Sequence, residues 1–457
     1  MRSRVKRPIL VGAIKLIVLL SLTTTALAQI RVPEQTPVSS ASPVVPQRPS
    51  HIPEPASQDT TTRPLYGLQG VLVETLDGKT VATQSADLAF NPASTIKLAT
   101  ALVALKTLGP QHRFATGVWS DGVIDKATGT INGNLYISGR DPSFHYEHAV
   151  MLARQLNSVG IKRVSGNLVV SPGFTMNFNS SARRSGEQLY DTLDSALRSA
   201  EAIRAWTYER TVLNDHASLE SVPSVTVAGE VSVDSVLPSA KLLLTQKSSK
   251  LVDILKVLLC YSNNFMAERI GESLGGPESV RRELVRYLGI APGDFRISSL
   301  SGLGVNRITP QVMMKIFRSL RDVLRKNKLS PADILPVAGI DPGTLQDRFA
   351  GLAWRGSVIA KTGTLARTDG GASALVGQMQ TATGEVLLFV IMNQHGSVLR
   401  FRENQDLFVM QVQNSRGGPK AFDYKPHPLM MELSDTESTF ASGEDYGPKS
   451  KSNMNSP

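Results

Sequence analysis

Ser94-Thr95-Ile96-Lys97-Leu98-Ala99-Thr100-Ala101-Leu102-Val103-Ala104-Leu105 is the stretch on which the fold turns. After Lys97 it is almost wholly apolar, and a helix that is apolar on nearly every side is buried rather than laid on a surface. Ser94 and Lys97 stand three apart, so on a helix they share one face. A serine at a helix start also has unpaired backbone N–H groups beside it. In isolation the pair reads as an N-cap serine with a solvated lysine. Ser3-x-x-Lys6 shows how cheaply the spacing arises.

Outward from this helix the pattern is ordered. On its N-terminal side, apolar runs at 70–74 and 80–83 flank Asp77-Gly78, a hairpin signal. Far along the chain, strands are expected at 357–361, 372–380 and 386–393, the last two joined at Thr383-Gly384. Helical periodicity marks 251–260, 264–274, 280–288, 312–325 and 405–412. Strands near both ends with helices between them imply one sheet assembled from distant segments, an α/β (α+β) architecture. From 113 to 245 short strands and turns dominate, as at 133–138 and 224–227, with an amphipathic stretch at 149–159. That region reads as an insertion between a first segment, 65–112, and a second, 246–418.

The chain has 457 residues, with 49 Lys+Arg against 39 Asp+Glu and a net charge of +10. With 41% hydrophobic and 19% charged residues, wholesale disorder is excluded. One cysteine, Cys260, excludes an intramolecular disulfide framework and a thiolate zinc site; it reads as a small buried hydrophobe. Arg2, Arg4, Lys6, Arg7 and Lys15, an apolar run at 9–22 and Ala26-Leu27-Ala28 make 1–28 a secretory signal, cleaved after Ala28. The run falls short of the ~20 residues of a membrane span and contains a lysine, so no stable span is expected after cleavage. Cleavage halves the +10, which removes most of the case for a nucleic-acid partner and makes the protein exported. Residues 29–64 are a Pro-rich disordered linker and 419–457 a polar, disordered tail.

Two further motifs join Ser94 and Lys97. Ser262-Asn263-Asn264 lies between two helical stretches. On a continuous helix i and i+2 diverge, so Ser262 and Asn264 can face one cleft only if the chain turns there; alone, Asn264 reads as the cap of the following helix. Lys361-Thr362-Gly363-Thr364 ends an expected strand. Glycine on an edge strand lets another backbone approach, a peptide can align there as an extra strand, and lysine with threonine hydroxyls suits a carboxylate. Each motif is weak by itself, but in this order, on helix, inter-helix turn and strand, they match the serine acyl-transferase pattern SxxK, SxN, KTG.

In these motifs the chain resembles the penicillin-binding proteins and serine β-lactamases. Within them it is most similar to the low-molecular-mass D-alanyl-D-alanine carboxypeptidase/endopeptidase family with inserted domains. Supporting stretches are 261–268, 335–345, 360–365, Ser301-Gly302-Leu303 with Asn306 to Pro310, and Gly139-Arg140-Asp141-Pro142. The resemblance runs over roughly 67–415. It implies a β-lactamase/DD-peptidase-like antiparallel sheet flanked by helices, and a strand-rich domain inserted between the SxxK and SxN motifs. It also implies a periplasmic or cell-envelope hydrolase without cofactor, acting on peptidoglycan stem peptides and acylated by β-lactams. Ser94 would be the nucleophile, Lys97 its base and Ser262 a proton relay. Asn264, Lys361, Thr362, Gly363 and Thr364 would bind substrate, with the N–H groups of Ser94 and Thr364 as oxyanion hole. Two departures stand out. Ser299-Leu300 replaces the family's usual Asp-Gly, and the insertion is short after about 176.

Two alternatives have their own marks. A serine β-lactamase needs a deacylating glutamate after the Ser-x-Asn motif; Glu209 with Leu213-Asn214 precedes it and has one residue too many. A catalytically silent peptidoglycan-binding protein would use the same cleft. His145 and His148 around Glu147 lack a third ligand and read as solvated loop residues, so no metal is expected.

Overall fold

The computed structural model describes residues 67–212, 222–291, 295–426, 428–429 and 433–441. The expected signal and linker therefore lie outside the described residues. The chain begins with β1 (Leu68–Thr75) and β2 (Thr80–Gln84), closed by the Asp77-Gly78 turn, and then a 3-10 turn at Ala93–Ile96 leads directly into α1 (Lys97–Thr107). After the insertion come α5 (Leu251–Tyr261), α6 (Asn264–Ser273), α7 (Gly276–Leu288), β12 (Phe295–Arg296), β13 (Arg307–Ile308) and α8 (Pro310–Lys326). The second segment ends with β14 (Val358–Leu365), β15 (Ala372–Gln380), β16 (Val386–Gln394) and α9 (Val398–Asn414).

Strands from the two ends form one five-stranded sheet in the order β14-β15-β16-β1-β2, antiparallel throughout. β15 and β16 are buried along nearly their whole length, and this explains their unbroken apolar sequence. Alternate residues serve opposite faces: Ala374, Val376, Leu388 and Val390 join the core with α1, α5 and α8, while Leu375, Leu387, Phe389 and Ile391 join the smaller core that includes Val409 of α9. A sheet covered on both sides needs apolar residues at every position, not every second one. α1 is buried from Lys97 to Leu105, as its composition requires.

The insertion has its own core, formed by β3 (Ala115–Ser120), β4 (Val123–Asp125), β5 (Thr130–Asn132), β6 (Leu135–Gly139), α2 (Tyr146–Ser158), β7 (Arg163–Val164), β8 (Leu168–Val170), α3 (Ala182–Leu193), β9 (Thr226–Val227), β10 (Val231–Val233) and β11 (Lys241–Lys247), with α4 (Ala200–Val212) packed on α2. Two features differ from expectation. The amphipathic stretch at 149–159 forms α2, but two further helices, α3 and α4, stand among the strands, and the last strand runs past 245.

The expected disordered tail, 419–457, needs a larger correction over its described part, while 442–457 lie outside the described residues. The Phe422 N–H donates to the Gly356 carbonyl at 2.9 Å, and Leu429 and Leu433 are buried in the core that includes α1, α5 and α8. β17 (Glu437–Phe440) then adds to β11, completing a six-stranded sheet in the order β10-β8-β6-β3-β11-β17. Few apolar residues announce this segment, since two buried leucines and an edge strand suffice to hold it.

Candidate active site

The 3-10 turn places Ser94 one turn before Lys97, at the entry to the buried helix α1. Ala93, just before it, is held at φ 46 by the Asn91 side-chain oxygen, which accepts its N–H at 3.0 Å. Non-glycine residues in that left-handed region are strained, so the surroundings must fix the turn. Two glycines make room for it. A Cβ on Gly302, which has φ +95, would lie 2.1 Å from the Ala93 carbonyl oxygen, and one on Gly363 would lie 2.6 Å from the Pro92 oxygen and 3.2 Å from the Ser94 nitrogen. The space left by Gly363 is thus filled by the turn that carries Ser94. Ser94 caps no helix, contrary to its isolated reading.

Lys97 is fully buried, and its Nζ lies 2.9 Å from Ser94 Oγ. The same amine donates to Asn264 Oδ1 at 2.7 Å and to the Ser301 carbonyl. Burial drives its pKa down to about 7, against the opposing pull of Glu268. Glu268 is spent elsewhere, because its carboxylate accepts the N–H of Ser301 at 2.8 Å and of Leu300 at 3.3 Å.

Ser262 sits at the C-terminus of α5 at φ 57, ψ 38, the left-handed turn that the i, i+2 geometry demands. Asn263, not Asn264, caps α6, accepting the Met266 N–H at 3.0 Å. This corrects the isolated reading and leaves Asn264 for Lys97. Ser262 Oγ accepts a hydrogen bond from Lys361 Nζ at 2.8 Å. Lys361 is fully buried, and burial together with the Lys97 charge pushes its pKa well below the ordinary lysine value. The N-terminal half of β14's outer edge is covered, with Ala338 N–H donating to the Val358 carbonyl and Ala360 N–H to the Pro336 carbonyl. The outward parity of residues 358 and 360 continues to Thr362 and Thr364; the Thr362 carbonyl accepts from Lys361 Nζ at 2.8 Å, and between the two threonines Gly363 faces the Ser94 turn. Hydrogen bonds thus join Ser94, Lys97 and Asn264 on one side and Ser262, Lys361 and Thr362 on the other, and Gly363, beside Thr364, packs the second group against the Ser94 turn.

Several site residues had no motif to announce them. Glu268 is four residues after Asn264, on the same helix face, and it anchors the Ser301 loop. Ser299 closes that loop, donating to the Leu303 carbonyl at 2.6 Å and accepting the Gly302 N–H at 3.1 Å, while Leu300 is wholly buried. The departure from Asp-Gly is therefore a built feature. Asp369 ties Asn91 (2.8 Å) to Arg307 (2.6 Å), joining the Ser94 turn to β13. Arg402 of α9 donates to Thr364 Oγ1 at 2.7 Å. From the insertion, the Phe178 ring stands 5.9 Å from Phe265, the neighbour of Asn264.

His145 and His148 are not solvated loop residues. His148 is buried, its Nδ1 accepting the His145 N–H at 2.9 Å and its Nε2 lying 2.7 Å from the Leu433 carbonyl, so it serves the start of α2. Cys260 is buried and its thiol is pushed up to about 12, which suits packing and not attack. The side chain of Glu209 and residues 213–214 lie outside what is described.

Comparison with known proteins places this geometry. The sequence profile of the D-Ala-D-Ala carboxypeptidase 3 (S13) family matches residues 61–191 and 200–412. The D-alanyl-D-alanine carboxypeptidase of Actinomadura sp. (strain R39) is 24% identical over 423 residues, covering 71% of this chain and 77% of that one. Carboxypeptidase DacB of Mycolicibacterium smegmatis is 30% identical over 164 residues, 33% of this chain and 35% of that protein, so the match spans about a third of that relative. Among solved structures, the penicillin G-acylated predatory endopeptidase Bd3459 of Bdellovibrio bacteriovorus, in complex with an immunity protein, shares the fold at TM-score 0.66 and 23% identity, covering 81% of this chain and 99% of that one.

Proposed function

This chain belongs to the D-Ala-D-Ala carboxypeptidase 3 (S13) family, and from that premise we propose that it is a serine-type D-Ala-D-Ala carboxypeptidase of the bacterial cell envelope. Its reaction is the release of the terminal D-alanine from peptidoglycan stem peptides. One observation carries the reading: Ser94 Oγ lies 2.9 Å from the amine of a buried lysine whose pKa is about 7. A serine hydroxyl needs an adjacent base, and a lysine serves only where it is neutral near the working pH.

The steps follow from the positions. Neutral Lys97 takes the Ser94 proton as Oγ bonds to the carbonyl carbon of the penultimate D-alanine. The oxyanion is received by the N–H groups of Ser94 and Thr364, preorganised dipoles of the kind usually worth most to such reactions. Collapse breaks the peptide bond. Lys97 gives up the proton it took, which reaches the departing amine through Ser262, held by Lys361 at 2.8 Å, so that Lys97 is neutral again and an ester remains on Ser94. Asn264 orients the substrate amide, while Thr362, Thr364 and the Lys361 charge hold the terminal carboxylate. Water then attacks the ester, its proton returning through Lys97, and frees the shortened stem. The basic, apolar N-terminal segment supports export with cleavage after Ala28. The separate core of the insertion supports a domain division near 113 and 247.

β-lactams would acylate Ser94 and stay, because the nearby Glu268 carboxylate is committed to backbone N–H groups and is not free to activate water. The test compares wild type with Ser94→Ala for D-alanine release from a stem-peptide mimic, and maps the residue labelled by penicillin. Wild type is expected to release D-alanine and carry the label on Ser94. A label elsewhere, or release that survives Ser94→Ala, overturns the assignment.

A further inference from the structure

Arg402 is a half-buried cation with no carboxylate in ion-pair contact among the described residues; Asp406, the anion whose charge reaches it, is bonded to Arg348 instead. α9 is locked on the sheet by Gln405, whose amide donates to Asn393 Oδ1 at 2.9 Å and to Ser373 Oγ at 3.2 Å. Ser373 is the cross-strand partner of Thr364, so this anchoring sets Arg402 above the cleft end of β14. There its guanidinium donates to Thr364 Oγ1 at 2.7 Å. No carboxylate among the described residues lies within ion-pair distance of it. α9 carries two carboxylates, Glu403, which makes no ion pair with Arg402, and Asp406, which is taken by Arg348, at 2.9 Å from Nε and 2.5 Å from a terminal nitrogen. A cation removed from water without an anion is costly to hold, and its remaining donors lie beside the threonine that closes the KTGT motif.

We propose that Arg402 supplies the charge that recognises the free C-terminal carboxylate of the substrate, closing a carboxylate site with the Thr362 and Thr364 hydroxyls. The inference rests on the carboxypeptidase reading above and adds a specificity residue to it. Thr364 orients the fork, and the carboxylate completes the ion pair that the folded chain leaves open. Lys361 cannot do this alone, since its amine is already engaged by Ser262 Oγ and by the Thr362 carbonyl, both at 2.8 Å.

The experiment measures a ratio. Wild type, Arg402→Ala and Arg402→Lys are given a stem-peptide mimic ending in D-Ala-D-Ala, as the free acid and as the C-terminal amide, and separately benzylpenicillin and its methyl ester. In wild type the acid is expected to be preferred. In Arg402→Ala the acid-over-amide preference should fall about 10–100-fold, the weight of a charge-assisted hydrogen bond, through KM and not kcat. Arg402→Lys should recover part of it, keeping the charge but not the fork. An unchanged preference, or an equal loss on acid and amide, overturns the proposal, the second outcome marking a merely structural arginine. Absence of D-alanine release by wild type would refute the carboxypeptidase reading instead, and the penicillin pair still decides the role of Arg402.

Discussion

The buried lysines of the catalytic region divide into two environments. Lys256 is paired: its amine lies 2.6 Å from Asp341 Oδ2 and donates to the carbonyls of Ala332 and Leu335 at 2.8 Å each, while Asp341 also accepts from the Val337 N–H (2.8 Å) and the Tyr424 hydroxyl (2.7 Å). Lys97 and Lys361 are equally buried, yet neither has a carboxylate within ion-pair distance among the described residues. Both are instead held by hydroxyl, amide and carbonyl groups. The paired lysine fixes the 332–341 segment beneath α5 and beside β14. The unpaired ones have depressed pKa values, and so carry chemistry. Satisfaction of a buried charge marks architecture here, and its omission marks the site.

Substitutions at the two kinds of lysine should therefore fail in different currencies. Lys97→Met is expected to lower the rate of Ser94 acylation by about 10²–10⁴-fold, the usual reach of a general base. Its thermal stability should move by only about 2 kcal/mol or less, since hydrogen bonds and not an ion pair are lost. Stopped-flow acylation and calorimetry check both halves, and a large loss of stability would erase the distinction. Asp341→Ala should do the reverse. Stranding the Lys256 ammonium is expected to cost about 3–5 kcal/mol of unfolding free energy, read by denaturant titration. Tyr424→Phe, which removes one hydrogen bond to the same carboxylate, should cost about 1 kcal/mol. If it matches Asp341→Ala, the pair is not the unit of stability described.

Much of this site was legible in the chain. The apolar run after Lys97 announced a buried helix, and the i, i+2 spacing of Ser262 and Asn264 demanded the turn that is found at φ 57. Those signals are local, set by periodicity and backbone geometry. What escaped was tertiary. Asn263 and Asn264 are chemically alike, and only the approach of Lys97 decides which one caps. Arg402 lies in the polar first turns of its helix, where apolar periodicity is weak, so the sequence marks only 405–412 of a helix that spans Val398–Asn414. The segment 419–441 is held by single anchors and by a sheet edge supplied from the insertion, and no sequence window contains those partners.

The pH dependence of penicillin acylation at Ser94, measured at saturating and subsaturating antibiotic, tests the central claim most directly. Lys97 acts as a base only when neutral, so the second-order acylation rate should rise with pH through a single ionisation near 7 and level off above it. Lys97→Met should lose that limb. A rate that is flat across this range, or that climbs only toward the ordinary lysine value, would contradict an active site built on a buried and unpaired amine.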